Sequence, residues 1–332
     1  MNVYITLDYE LFLGEKTGTP ENCLIRPMDE LCKVADKHSF KYVIFVDATY
    51  LLRMQQLKGQ YKEVDRQYDL VSKHVRSLAE QGHDVELHFH PQWLYSEWDD
   101  KAQQWCMDRD HYKLSDMPLT DAKKYLKEAK ELLDSIVGYK TIAYRAGGFC
   151  LDEFKDFKEI FKELGLKVDS SVARGLHVSS PIHNYDYRDI PSKQIYNFSD
   201  SNKTEDDKGR FVELTISSSK WNSFFFLTKI RPLLREYKAT KVYGDGIGIS
   251  DGKNLLIYRL KKLFSPAPYL ACMDGSRSCY LQMIYNELKE KQEDFVIIGH
   301  PKFLSDKSYG NIIAFVLDNI ENLSFKTTRS LL

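Results

Sequence analysis

Two periodicities alternate along the chain. Short, nearly continuous apolar runs at residues 3–7, 41–46, 85–88, 141–144, 166–168, 211–216 and 295–298 read as strands buried on both faces. Between them, residues 27–38, 64–80, 121–137, 152–164, 257–264, 281–291 and 311–323 carry the patterns of helices. In the second of these, Val64, Tyr68, Val71, Val75 and Leu78 alternate steps of four and three and so form one apolar stripe. In the third, Ala122, Tyr125, Leu126, Ala129, Leu132, Leu133, Ile136 and Val137 do the same, with Thr120 placed to cap the start and Gly138 the end. Repeated strand–helix alternation implies a parallel sheet, open or closed. Residues 91–118, 170–209 and 217–275 fit the alternation poorly and are expected to be insertions.

Polar residues fall directly after these apolar runs. Asp8 and Glu10 follow the first, Asp47 the second, His88 and His90 the third, Arg145 the next, and His300 the last. In parallel α/β sheets the active site lies at the carboxyl ends of the strands. A carboxylate beside His-x-His suits zinc or a similar divalent ion, which takes about three protein ligands and leaves a position for water. Water bound there becomes a nucleophile near neutral pH. A second carboxylate can take its proton, and a distant His can protonate a leaving group. An Arg can hold the base carboxylate through charge-assisted hydrogen bonds. These parts describe metal-assisted hydrolysis. Asp47, ahead of Ala48 and Thr49, reads instead as a helix N-cap. His83 is expected on the surface, and His38, His74, His111, His177 and His183 lie off the strand ends.

At 332 residues the chain is long enough for two domains, yet a closed α/β barrel alone uses about 250. Candidates that run from Asp8 to His300 favour a single domain over residues 1–332. A net charge of −1 excludes a general nucleic-acid binder and gives no polybasic attraction to anionic lipid. No apolar run is long enough for a transmembrane helix. Met1 leads directly into the first strand, and six cysteines lack CxxC pairing, so a cytoplasmic location with buried thiols is expected. Aromatic residues make up 13%, enough for a site that stacks on sugars. The glycine-rich run at 244–248 lacks the strand–turn–helix context of a nucleotide site, and no GxSxG elbow is present.

Taken in order, these segments resemble the motifs of the polysaccharide deacetylase family (NodB homology, carbohydrate esterase family 4). Residues 5–10 (ITLDYE) resemble the first motif, 82–93 (GHDVELHFHPQW) the second and 144–149 (YRAGGF) the third. Residues 168–172 (VDSSV) resemble a segment at the substrate groove, and 297–301 (IIGHP) the last motif. The resemblance implies a distorted (β/α)7-type barrel with long insertions. It implies Asp8 as base and Glu10 as metal ligand, two roles that can exchange. It further implies Arg145 as the brace of the base and His300 as catalytic acid. The metal ligands after Glu10 are then His88 and His90, which an extended backbone points the same way, with Gln92 as the fallback. Trp93, Phe149 and Asp169 are expected at the substrate. Three departures stand out: Tyr9 separates the two acids, Gln92 stands where the family has its second His, and Gly147 stands where it has Pro. The implied activity is removal of an N-acetyl group from an acetamido sugar in a glycan or glycan precursor, with zinc as the expected cofactor. A cytoplasmic location points to a nucleotide-linked or lipid-linked precursor. The alternatives are a C–N amide hydrolase acting on a small non-sugar substrate, and a glycan-binding relative without activity. Oligomeric state is not legible.

Overall fold

The computed structural model describes residues 1–151, 153–180, 182–248, 266–291 and 293–332. Its main sheet contains β1 (Asn2–Tyr9), β2 (Val43–Asp47), β3 (Asp84–Phe89), β4 (Ala143–Ala146), β5 (Val168–Asp169), β6 (Ile195–Phe198), β7 (Phe211–Leu214), β8 (Phe295–Gly299) and β9 (Ser324–Phe325). The spatial order is β6-β7-β5-β4-β3-β2-β1-β8, with β9 also beside β1. From β7 to β8 all seven strands run parallel, whereas β6 joins the edge antiparallel.

Backbone outside the strands closes the seam. The Ser217 N–H donates to Val296 O at 3.0 Å, and the Ala271 N–H donates to Ser217 O at 2.8 Å. The Ile298 N–H then donates to Ala271 O and the Met273 N–H to Ile298 O, both at 2.9 Å. These bonds curl the sheet into the distorted barrel that the family resemblance implies.

The strand period sorts the side chains. Tyr4, Val43, Phe45, Ala143, Val168, Leu214 and Val296 form one buried cluster inside the barrel. Their neighbours Val3, Ile5, Ile44, Val46, Tyr144, Phe295 and Ile297 face the other way, into the cluster that packs on the helices. Because alternate residues share a face, Thr6 and Asp8 follow Tyr4 inward, Asp47 follows Phe45, and Arg145 follows Ala143. His88 is paired in register with Asp47 on one side and Arg145 on the other.

Helices α1 (Arg26–Lys37), α2 (Ala48–Gln56), α3 (Lys62–Glu80), α4 (Leu119–Val137), α5 (Phe154–Leu164), α6 (Leu281–Glu290) and α7 (Asp306–Asn319) cover the outside. Asp47 caps α2 as expected, its Oδ1 accepting from the Tyr50 N–H. Gly138 ends α4 at φ 79°. Thr120 does not cap α4: the helix starts earlier, directly behind Pro118, which fixes the entry instead. The helix expected at 257–264 and the first residue of the one expected at 152–164 lie outside the described residues. Each of the three poorly fitting stretches carries an antiparallel strand pair: Glu97–Asp99 with Gln104–Cys106, His177–Ser179 with Asn184–Asp186, and Ser218–Trp221 with Ala267–Leu270.

His83 is buried, not on the surface. Its Nδ1 accepts from the Tyr42 N–H at 3.1 Å, its Nε2 lies 3.4 Å from Cys32 Sγ, and its ring stacks on Tyr42. Burial, helped by Lys41, lowers its pKa to about 4. A neutral His thus fills an interior place that a polar reading of the sequence assigns to solvent.

Candidate metal centre

At the carboxyl end of the barrel, Glu10, His88 and His90 converge. Glu10 Oε2 lies 2.5 Å from His90 Nε2 and 3.2 Å from His88 Nε2, and the two imidazole nitrogens are 3.0 Å apart. Donors held at about 2.0–2.2 Å around a tetrahedral ion stand roughly 3.3 Å from one another, a spacing that two sides of the triangle approach and the Glu10–His90 side falls short of. His88 Nδ1 is 2.8 Å from Arg145 O. A carbonyl can only accept, so Nδ1 carries the proton and Nε2 is left to coordinate.

Charge balance points the same way. Burial opposes the anion of Glu10, but Lys302 and the two imidazoles outweigh it and hold the carboxyl well below its ordinary range. Burial likewise opposes charging His88, yet Asp8, Glu10 and Asp47 together raise its pKa to about 9. The pocket is built around a positive charge. Metal binding needs the neutral imidazole. Zinc loading at neutral pH is therefore expected to release a proton, and apparent affinity should rise with pH towards about 9. Calorimetry in buffers of different ionisation enthalpy measures that release. Loading without proton release would contradict this assignment of His88.

Two departures from the family pattern explain each other. A Cβ placed on Gly147 would lie 2.4 Å from His90 Nδ1 and 2.6 Å from Cε1. The ring of His90 occupies the space that a side chain at 147 would need. Gln92, the other candidate ligand, is buried with both amide atoms unpartnered among the described residues, and it does not line the cavity at the site. Among the histidine, cysteine and acidic side chains described, it is His90 that stands with Glu10 and His88. Gly147→Ala is expected to displace the His90 ring and weaken metal binding about 10–100-fold. Competition with a chromophoric chelator reads the change, and unaltered affinity would remove His90 from the ligand set.

The remaining groups stand around the triangle. Arg145 is fully buried over the Phe45 ring and donates from Nη1 to Asp8 Oδ1 at 2.5 Å. Its Nε donates to Ser170 O, and its Nη2 to Thr6 Oγ1 and Ser170 Oγ, at 2.8–2.9 Å. Asp8 Oδ2 is left facing His300 Nε2 at 3.5 Å and His88 Nε2 at 4.0 Å. His300 is clamped from behind, because Asp274 accepts from its backbone N–H at 2.7 Å and pairs with its Nδ1 at 2.8 Å. Burial alone would lower the pKa of His300, but Asp274 foremost, with Asp8 and Glu10, raises it.

The cavity in front measures about 410 Å³. Asp8, Glu10, His88, His90 and His300 line it, as does Phe149. Trp93 does not: it is a core residue packed against Tyr50 and Trp105. Asp169 does not either, since its carboxylate is held by Ser171 Oγ and Asn202 Nδ2 beside the strand end.

Four cavity or support residues carry no sequence-based role. Asp274 closes the short apolar run 271–273, the same strand-then-acid signature that marks Asp8, but inside a poorly fitting stretch. Lys302 is buried and donates to Glu10 Oε1 at 2.8 Å and Leu11 O at 2.9 Å. Tyr112 and His183 join at 2.6 Å between Tyr Oη and His Nε2 on the cavity wall. Each comes from a separate insertion, so no spacing relates them.

No family model matches the sequence, and no curated protein matches it. Solved structures do match in fold. A protein from Pseudomonas aeruginosa assigned as a polysaccharide deacetylase superposes with a TM-score of 0.51 at 12% identity, over 99% of this chain and 88% of that one. A protein from Mycobacterium smegmatis with the same assignment superposes with a TM-score of 0.50 at 14% identity, over the same shares. The chain has the polysaccharide deacetylase fold.

Proposed function

We propose that this protein is a divergent, metal-dependent hydrolase of C–N amide bonds that removes N-acetyl groups from acetamido sugars. The observation that carries the reading is the juxtaposition of three devices at one barrel end: the Glu10–His88–His90 triangle, the Arg145-held Asp8 and the Asp274-held His300. We take the whole chain as one catalytic domain.

A divalent ion, zinc in this proposal, supplies a polarised water and a Lewis acid when bound by Glu10, His88 and His90. Asp8 accepts a proton at Oδ2, because Arg145 occupies Oδ1. Lys302 neutralises the second oxygen of Glu10 and keeps that carboxylate turned to the ligand triangle. His300, whose pKa Asp274 raises, gives its Nε2 proton to the departing amine. Phe149, on the cavity wall, offers an aromatic face to a sugar ring.

The His300 pKa is raised, Asp274 foremost, so its acid role extends to higher pH than an ordinary imidazole allows and is lost as pH rises through the raised pKa. Asp274→Asn is expected to move the alkaline limb of the pH–rate profile to lower pH. An unmoved limb would detach His300 from the acid role.

Six free cysteines, four of them buried, fit a reducing compartment, so cytoplasmic location is part of the proposal. Among the described residues no helix is long and apolar enough to cross a membrane. The substrate class is tested by comparing acetate release from N-acetylglucosamine, its nucleoside diphosphate conjugate and simple N-acetyl amines. Turnover of the sugars alone supports the reading. Turnover of the simple amides alone would replace the sugar with a small non-sugar amide.

A further inference from the structure

Eight large apolar side chains are markedly exposed among the described residues, and four of them fall within one stretch of sequence. Phe224 (76% exposed), Leu227 (39%), Val242 (61%) and Ile247 (55%) lie within residues 220–247, and Phe303 (41%) stands on the cavity wall that this segment also lines. The helical stretch of the segment, residues 223–236, begins at the Asn222 cap and runs through Arg231–Glu236. Phe224, Leu227 and Arg231 recur at helical spacing and are all exposed, so apolar and basic groups share an outer stripe.

The charge of this region is opposite to that of the chain. Within residues 220–247 six cations, Lys220, Lys229, Arg231, Arg235, Lys238 and Lys241, stand against Glu236 and Asp245, with Asp306 bound at Thr240 and Glu287 at Trp221 from neighbouring elements, although the whole protein carries −1. All six cations are exposed, and none makes an ion pair among the described residues. Asp245 is turned away, accepting from Thr19 and Asn22. The near-neutral total, read as leaving no attraction to lipid, conceals a concentrated basic surface.

We propose that residues 220–247 dock the protein on a bilayer bearing anionic phospholipid headgroups. Phe224 and Leu227 enter the headgroup boundary while the flanking cations meet the lipid phosphates. Charge complementarity selects this occupant: a second copy would bring six unpaired cations against six. Docking has a consequence for access. Past the helix, Tyr237, Val242 and Gly244 line a cavity of about 490 Å³. That cavity shares Phe12, Arg277, Lys302 and Phe303 with the catalytic one. The bilayer surface would thus lie beside a path to the site.

Co-sedimentation of the full-length protein with vesicles tests this. Vesicles of phosphatidylcholine with phosphatidylglycerol are expected to pellet the protein, and vesicles of phosphatidylcholine alone are not. Each cation near the surface is worth about fivefold in partitioning, so Arg231→Gln with Arg235→Gln should lower it roughly 30-fold. Phe224→Ser with Leu227→Ser should lower it as well, and raised salt should release the wild type. Equal circular dichroism of wild type and variants separates lost docking from lost fold. The proposal is overturned if neither vesicle binds, if both bind equally, or if the wild type self-associates in light scattering and Phe224→Ser abolishes that association.

Discussion

Asp8→Asn is expected to reduce acetate release roughly 10²–10⁴-fold while leaving bound metal in place. The expectation follows from how the carboxylate is held. Arg145 takes Oδ1, so only Oδ2 faces the cavity, 3.5 Å from His300 Nε2. Asn keeps the shape and can still accept from Arg145 through its amide oxygen, but it cannot take a proton. The ligand triangle does not include Asp8. Steady-state kinetics beside elemental analysis of the same samples checks both halves. Retained turnover with full metal would move the base role to Glu10, the exchange that the Asp-Tyr-Glu spacing leaves open.

The second large effect is on stability. Arg145→Met is expected to destabilise the fold by about 3–5 kcal/mol, because it leaves the buried Asp8 carboxylate without its partner. Thr6, Ser170 and the Ser170 carbonyl lose their donor at the same time. Adding Asp8→Asn should restore part of the loss, since the buried charge is then gone, without restoring turnover. Urea denaturation of the four species gives the coupling. Strictly additive effects would mean that the ion pair at the barrel end does not contribute to stability.

These two residues show what a sequence can reveal. Asp8, His88, Arg145 and His300 were legible because each ends a short apolar run, and strand parity then fixes which face it takes. The alternation of strands and helices sufficed for the parallel sheet because each helix carries the chain back to start the next strand in the same direction. The barrel seam was not legible, because it is made by isolated backbone bonds at Ser217 and Ala271 rather than by a patterned strand. Asp274 was hidden for the same reason. Trp93 misled because adjacency to a motif resembles adjacency to a ligand. It faces Tyr50 and Trp105, and only packing determines that. The preference for His90 over Gln92 was legible in its two-residue spacing from His88, whereas the room for its ring was not: that comes from Gly147, 57 positions after His90.

One measurement bears most directly on the central claim: acetate release from acetamido sugars by a single preparation, before chelation, after chelation, and after zinc is returned. Release that is lost on chelation and recovers with about one zinc per chain is the predicted result. Release that persists after the metal is removed, or no release from a fully loaded protein, would contradict it.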